Sequence, residues 1–148
     1  MTTQIAGTLQ IRRVIAAGPE VVFDAWTQPE HIKQWSAPEG MDVPISDVDL
    51  TVGGRFHLQM RNAEGGTHNA RGVYQVIDRP ARLVYSWEWD EHPDHGRSLI
   101  TVEFQAVDDG TEVTMTHSGL PTEKSVTDHE GGWTSCLNRL EGLYDRSE

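Results

Sequence analysis

His117 is the residue best placed to do chemistry. It follows Val113 and Met115 at a spacing of two, so it shares their face of a strand and should turn inward. A neutral imidazole there could orient a polar ligand head or act as a general base. The plainer reading is a core histidine bonded to a backbone carbonyl, and for catalysis that reading is preferred. His92 and His95 lie three apart in a loop that also holds Asp90, Glu91 and Asp94. A hard or borderline cation could sit there, although a solvated loop tip explains the same residues. His129 and Cys136 are seven apart and share a helix face. Two ligands are too few for zinc without a third, for which His117 is the obvious candidate. Otherwise Cys136 is a small buried hydrophobe. The chain has no G-x-S-x-G, C-x-x-C, H-E-x-x-H or P-loop pattern. No catalytic residue, metal or cofactor is therefore assigned.

The aromatic residues point to binding rather than catalysis. Trp35, Tyr74, Tyr85, Trp87, Trp89 and Trp133 are ordinary core material in most folds. Aimed together at one concavity, they also suit a flat or greasy ligand. Met60 and Met115 add adaptable packing. With Phe104, His117 and His129, these residues make up the expected ligand-binding wall. Asp47 and Asp49 could also project inward, but carboxylates beside a Gly-Gly turn more often cap the turn or pair with Arg55.

These side chains need elements to position them. Leu9 to Ile15 reads as a strand, ended by Gly18-Pro19, which opens a helix through Val22, Phe23 and Trp26. Thr27-Gln28-Pro29 breaks it, and a second short helix runs from Pro29 to about Trp35. From Met41 to Ser118 the period changes to two. A weakly patterned strand spans Val43 to Leu50. Phe56, Leu58 and Met60 form the next, then Gly72, Tyr74 and Val76, then Leu83, Tyr85, Trp87 and Trp89. Ile100, Val102, Phe104 and Ala106 follow, and Asp108-Asp109-Gly110 is the clearest hairpin turn. The last helix runs from about Glu123 to Tyr144, with Thr122 as N-cap and Val126, His129 or Glu130, Trp133, Leu137, Leu140 and Tyr144 on one face. The order is β–αα–β6–α. An antiparallel sheet with one apolar face needs a cover, and only the last helix is long enough. Gly131 and Gly132 sit mid-helix, where each costs about 1 kcal/mol against alanine. Such a pair marks either close packing or space kept open.

Composition bounds the rest. At 148 residues the chain is expected to form a single domain, residues 1–148. A net charge of −11 with scattered Lys and Arg excludes a nucleic-acid stripe and disfavours anionic lipid surfaces, so neither nucleic acid nor membrane is an expected partner. No run of 18 apolar residues exists. Met1 to Ala6 lacks the pattern of a secretion signal, and a lone cysteine suits a reducing cytoplasm.

Four stretches resemble a known family. Pro19-Glu20-Val21-Val22-Phe23-Asp24-Ala25-Trp26-Thr27, with Pro29-Glu30 and Trp35, is similar to its first helix pair. Asp49 to Phe56 resembles its acidic, double-glycine turn. Arg79 to Trp87 resembles its proline-led strand, and His129-Glu130-Gly131-Gly132-Trp133 its last-helix signature. The family is the SRPBCC, or START-like, superfamily, in the group homologous to the C-terminal domain of the heat-shock chaperone ATPase activator (AHSA1-like). The resemblance implies an α+β helix-grip fold, a curved antiparallel sheet wrapped around a long C-terminal helix with a cavity between them. It implies a chaperone as one partner, although the separate N-terminal domain of full-length activators is not seen here. Fold does not settle function. The expected function is binding of a small apolar or aromatic molecule. The alternatives are a polyketide-cyclase-like or hydratase-like enzyme using His117, and a chaperone-interacting regulatory module.

Overall fold

The computed structural model describes residues 7–144. The stretch Met1 to Ala6, considered above for a secretion signal, lies outside them. The elements are β1 (Leu9–Ile15), α1 (Pro19–Thr27), α2 (Pro29–Ile32), β2 (Asp42–Val48), β3 (Arg55–Arg61), β4 (Thr67–Asp78), β5 (Arg82–Trp89), β6 (Ser98–Val107), β7 (Gly110–Ser118) and α3 (Glu123–Tyr144). A single 3-10 turn, Pro93–His95, joins β5 to β6. The seven strands form one antiparallel sheet in the order β1-β7-β6-β5-β4-β3-β2. β2 to β7 form a meander, while β1 crosses to pair with β7 and sets Ile11 opposite Met115. The sheet and α3 make an α+β helix-grip fold.

Two details depart from the sequence reading. The second helix ends at Ile32, not near Trp35. Beyond it the chain continues in hydrogen-bonded turns to Ser36, and Trp35 turns inward, its indole N–H donating to the Ala25 carbonyl at 2.9 Å. In β4 the register shifts between Tyr74 and Val76. A bulge of this kind exchanges the two faces. Ile77 therefore packs on the core in the place expected of Val76.

α3 is started and held by polar contacts. Thr122 Oγ1 accepts from the Ser125 N–H at 3.0 Å, and Ser125 Oγ accepts from the Thr122 N–H at 3.0 Å. This reciprocal cap satisfies two donors at the helix start. Further along, the Arg139 guanidinium donates to the carbonyls of Ala37 at 2.6 Å and Met41 at 3.2 Å, and Ser135 Oγ accepts from the Glu39 N–H at 2.8 Å. These bonds tie the loop between α2 and β2 to the helix. No helix among the described residues is long and apolar enough to cross a membrane.

Gly72 is required where β4 crosses β5. A Cβ there would lie 1.9 Å from the Ser86 carbonyl oxygen and 2.4 Å from the Phe56 ring. The carbonyl belongs to the paired backbone and cannot move aside. Gly72→Ala is expected to destabilise the protein by about 1–3 kcal/mol. Urea unfolding checks this, and an unchanged midpoint would remove the close-approach account.

Candidate functional site

A cavity of about 340 Å³ lies between the sheet and α3. Eight of the residues expected at a binding wall line it: Trp35, Met60, Tyr74, Tyr85, Trp87, Trp89, His129 and Trp133. The strand alternation on β3, β4 and β5 turns five of them inward. His129 and Trp133 come from one face of α3, four residues apart.

Phe104, Met115 and His117 do not line the cavity, which corrects the sequence expectation for them. They lie on the same sheet face, but helices cover that part of it. Phe104 packs against Phe23 and Trp26 of α1 at ring distances of 5.2 and 5.8 Å. Met115 is wholly buried in the core. His117 is wholly buried beneath Trp133.

Several wall residues were not foreseen. Trp26, Phe56, Leu58 and Cys136 belong to the core as well as to the cavity wall. Phe56 and Leu58 carry the same alternation as Met60, a signal strong enough to have found them. Ser46 carries no such signal, because β2 is weakly patterned and its register shifts between Asp42 and Ile45.

Hydrogen bonds fix the state of the buried His117 and the half-buried His129. The Trp133 indole N–H donates to His117 Nδ1 at 3.1 Å, so that nitrogen carries a lone pair. The proton is then on Nε2, which lies 2.7 Å from Ser98 Oγ and donates to it. Ser98 in turn donates to the Trp87 carbonyl at 3.1 Å. His117 thus meets a hydroxyl relay rather than the backbone carbonyl expected of a core histidine. Burial, assisted by nearby His129, pushes its pKa down to about 3. His129 is arranged the opposite way. Its Nε2 accepts from the Trp89 indole at 2.9 Å, and its Nδ1 donates to the Ser125 carbonyl at 2.7 Å. Burial lowers its pKa too. Neither ring has a free nitrogen with which to take a proton from a substrate.

Three other groups on the wall are also held neutral. Burial pushes the Cys136 thiol up to about 12, so it is no nucleophile. Burial raises the pKa of Tyr74 and of Tyr85. Tyr85 Oη accepts from the Trp26 indole at 3.1 Å, which leaves its own proton available to donate. Four of the five tryptophan N–H groups have partners. The exception is Trp87, whose buried Nε1 has none; the buried Ser46 hydroxyl also has none. Asp47 and Asp128 add carboxylates to the wall.

The glycine pair in α3 does not mark close packing. A Cβ on Gly131 or Gly132 would meet nothing within 4 Å, and Gly132 is itself part of the cavity wall.

Solved proteins of similar architecture match over nearly the whole chain. A protein from Chromobacterium violaceum is 25% identical with a TM-score of 0.85, the match covering 95% of this chain and 99% of that one. An AHSA1 protein from Silicibacter pomeroyi is 26% identical with a TM-score of 0.81, over 92% of this chain and 96% of that one. A protein from Rhizobium leguminosarum is 28% identical with a TM-score of 0.78, over 95% of both chains. No curated protein sequence matches the chain. Residues 16–145, from the end of β1 through α3, match the family described as Activator of Hsp90 ATPase homolog 1-like protein. With its seven-stranded sheet closed by one long helix, the chain belongs to that family.

Proposed function

We propose that the protein binds a small, largely apolar or aromatic molecule in the cavity between the sheet and α3. The observation that carries this reading is a cavity of about 340 Å³ walled largely by aromatic side chains, Trp35, Phe56, Tyr74, Tyr85, Trp87 and Trp133 among them. Removing apolar ligand surface from water against such a wall contributes about 25 cal/mol per Å². The volume lies at the small end of the range for ligand pockets. Tyr85 has a proton not used in its bond to Trp26, and the Ser46 hydroxyl and Trp87 indole N–H are unpaired behind the wall, so a modest side-chain shift would turn a neutral donor toward an oxygen on an otherwise apolar body. Of the two carboxylates at the wall, that of Asp128 is paired with Lys124 at 2.8 Å, and that of Asp47 is exposed. A cyclase-like or hydratase-like reaction would need His117 as its base, and both nitrogens of that ring are engaged.

The test is native mass spectrometry of freshly purified protein, followed by denaturing release. Retention of a discrete neutral molecule is the expected result. Gly132→Phe should abolish retention by filling the cavity, because its added side chain starts in open space. Gly132→Ala should raise stability by about 1 kcal/mol through helix propensity alone. Bare chain under all conditions, with no retention of neutral aromatic probes, would sink the binding reading. Weight would then pass to a chaperone-regulating role, which family membership supports and a pull-down would examine.

A further inference from the structure

The turn between β5 and β6 holds a cluster that the cavity reading does not use. His92, Asp94 and His95 each present a ligand atom, and these atoms all lie within 4.8 Å of one another. Local structure explains the convergence. His95 ends the 3-10 turn that His92 caps, and side chains three apart in such a turn eclipse. Their rings stack at 4.7 Å with an interplanar angle of 11°. Pro93 between them restricts the backbone.

The flanking residues are committed elsewhere, which holds the turn in place. The Asp90 carboxylate accepts from Arg71 Nε at 2.9 Å. The Glu91 carboxylate accepts from the Asn69 backbone N–H and side-chain amide, each at 2.8 Å. By contrast, the side chains of His92, Asp94 and His95 have no hydrogen-bond or ion-pair partner among the described residues. His95 Nδ1 is buried and unsatisfied. An imidazole nitrogen in that position needs a proton acceptor, a donor or a metal.

We propose that His92, Asp94 and His95 bind a borderline divalent transition-metal ion, of which zinc is the representative, beside the cavity. Two imidazoles and a carboxylate are a ligand set suited to zinc, nickel or copper rather than calcium or magnesium. Ligand bonds of about 2.0–2.2 Å require the three atoms to draw together by an ångström or so. Rotation about χ1 and χ2 of the exposed His92 and Asp94, with His95 half-buried as the anchor, supplies this and turns the two imidazoles out of their parallel stack so that their in-plane lone pairs converge. Three protein ligands leave a position open for water or for a group on a molecule in the cavity, since His92 and His95 both line it. The net charge of −11 favours cation approach. The proposal does not depend on the cavity holding any organic ligand.

Calorimetric titration of zinc into the full chain, stripped beforehand with a chelator, tests it. One ion per chain is expected. His92→Ala and His95→Ala should each weaken binding about tenfold or more. His31→Ala, an exposed histidine on α2, should leave it unchanged. Cobalt in place of zinc should give a visible absorption band that both cluster variants lose. Absence of stoichiometric binding overturns the proposal. So does equal affinity in the double variant His92→Ala/His95→Ala, which would place the ion elsewhere. Circular dichroism confirms that the variants fold, as expected for substitutions on an exposed turn.

Discussion

Trp133→Ala should lower the unfolding free energy by about 3–5 kcal/mol. The indole is 9% exposed and lies against Trp26 and Trp87 at ring distances of 6.3 and 5.9 Å. Removing it opens the roof of a space that is already partly empty, so its neighbours cannot collapse to fill the gap. It also strips His117 Nδ1 of its donor. Trp133→Phe separates the two losses. Most of the buried ring area survives, and only the hydrogen bond goes, so the expected cost is about 1–3 kcal/mol. Urea unfolding of both variants measures the difference. Equal losses in Phe and Ala would mean that packing of the ring contributes little, contrary to its position in the structure.

Acid should destabilise the fold through His117 over a defined window. The unfolded chain protonates this ring near its ordinary value of about 6.5. The folded protein holds it neutral down to about 3, because burial disfavours the charge and both nitrogens are already committed. The folded pKa is therefore depressed. Between the two values the unfolded state binds one more proton than the folded state. This stabilising contribution is complete above about pH 6.5 and is lost as pH falls toward 3, by about 1.4 kcal/mol per pH unit. His129 is shifted in the same direction by burial and adds to the trend. The clearest window is pH 5 to 6.5, above the range where most carboxylates titrate. His117→Gln removes the titrating ring. Its stability at pH 7 should be lower than that of the parent, while its slope across the window should be shallower by about one proton. Parallel slopes in urea unfolding would show that His117 does not titrate as its burial requires.

Burial keeps both histidines neutral, and distant indoles occupy one nitrogen of each. Trp89 reaches His129 from β5, forty positions away, and Trp133 reaches down from α3 to His117, sixteen positions away, on β7. A sequence places each histidine on an inward face. It cannot tell which atom will meet each nitrogen. The same imidazole in an open cavity would be a base, and beneath a tryptophan it is a structural acceptor.

Local rules account for what the sequence determined by itself. Alternation of period two fixed β3, β5, β6 and β7, glycine and proline punctuation fixed their turns, and the period of α3 fixed its buried face. The helix-grip order follows, because one apolar sheet face and one long amphipathic helix have only each other to cover. Tertiary structure decided how the inner face is divided. Phe104, Met115 and His117 have the pattern of cavity residues, but α1 and Trp133 occupy the space in front of them. Ser46, from the weakly patterned β2, reaches the cavity instead. It also decided that Gly131 and Gly132 face space rather than a neighbour, which composition leaves open. The physical reason is that alternation reports which side of the sheet a residue faces. What stands opposite depends on elements remote in sequence, whose approach is set by side-chain volume and hydrogen bonds.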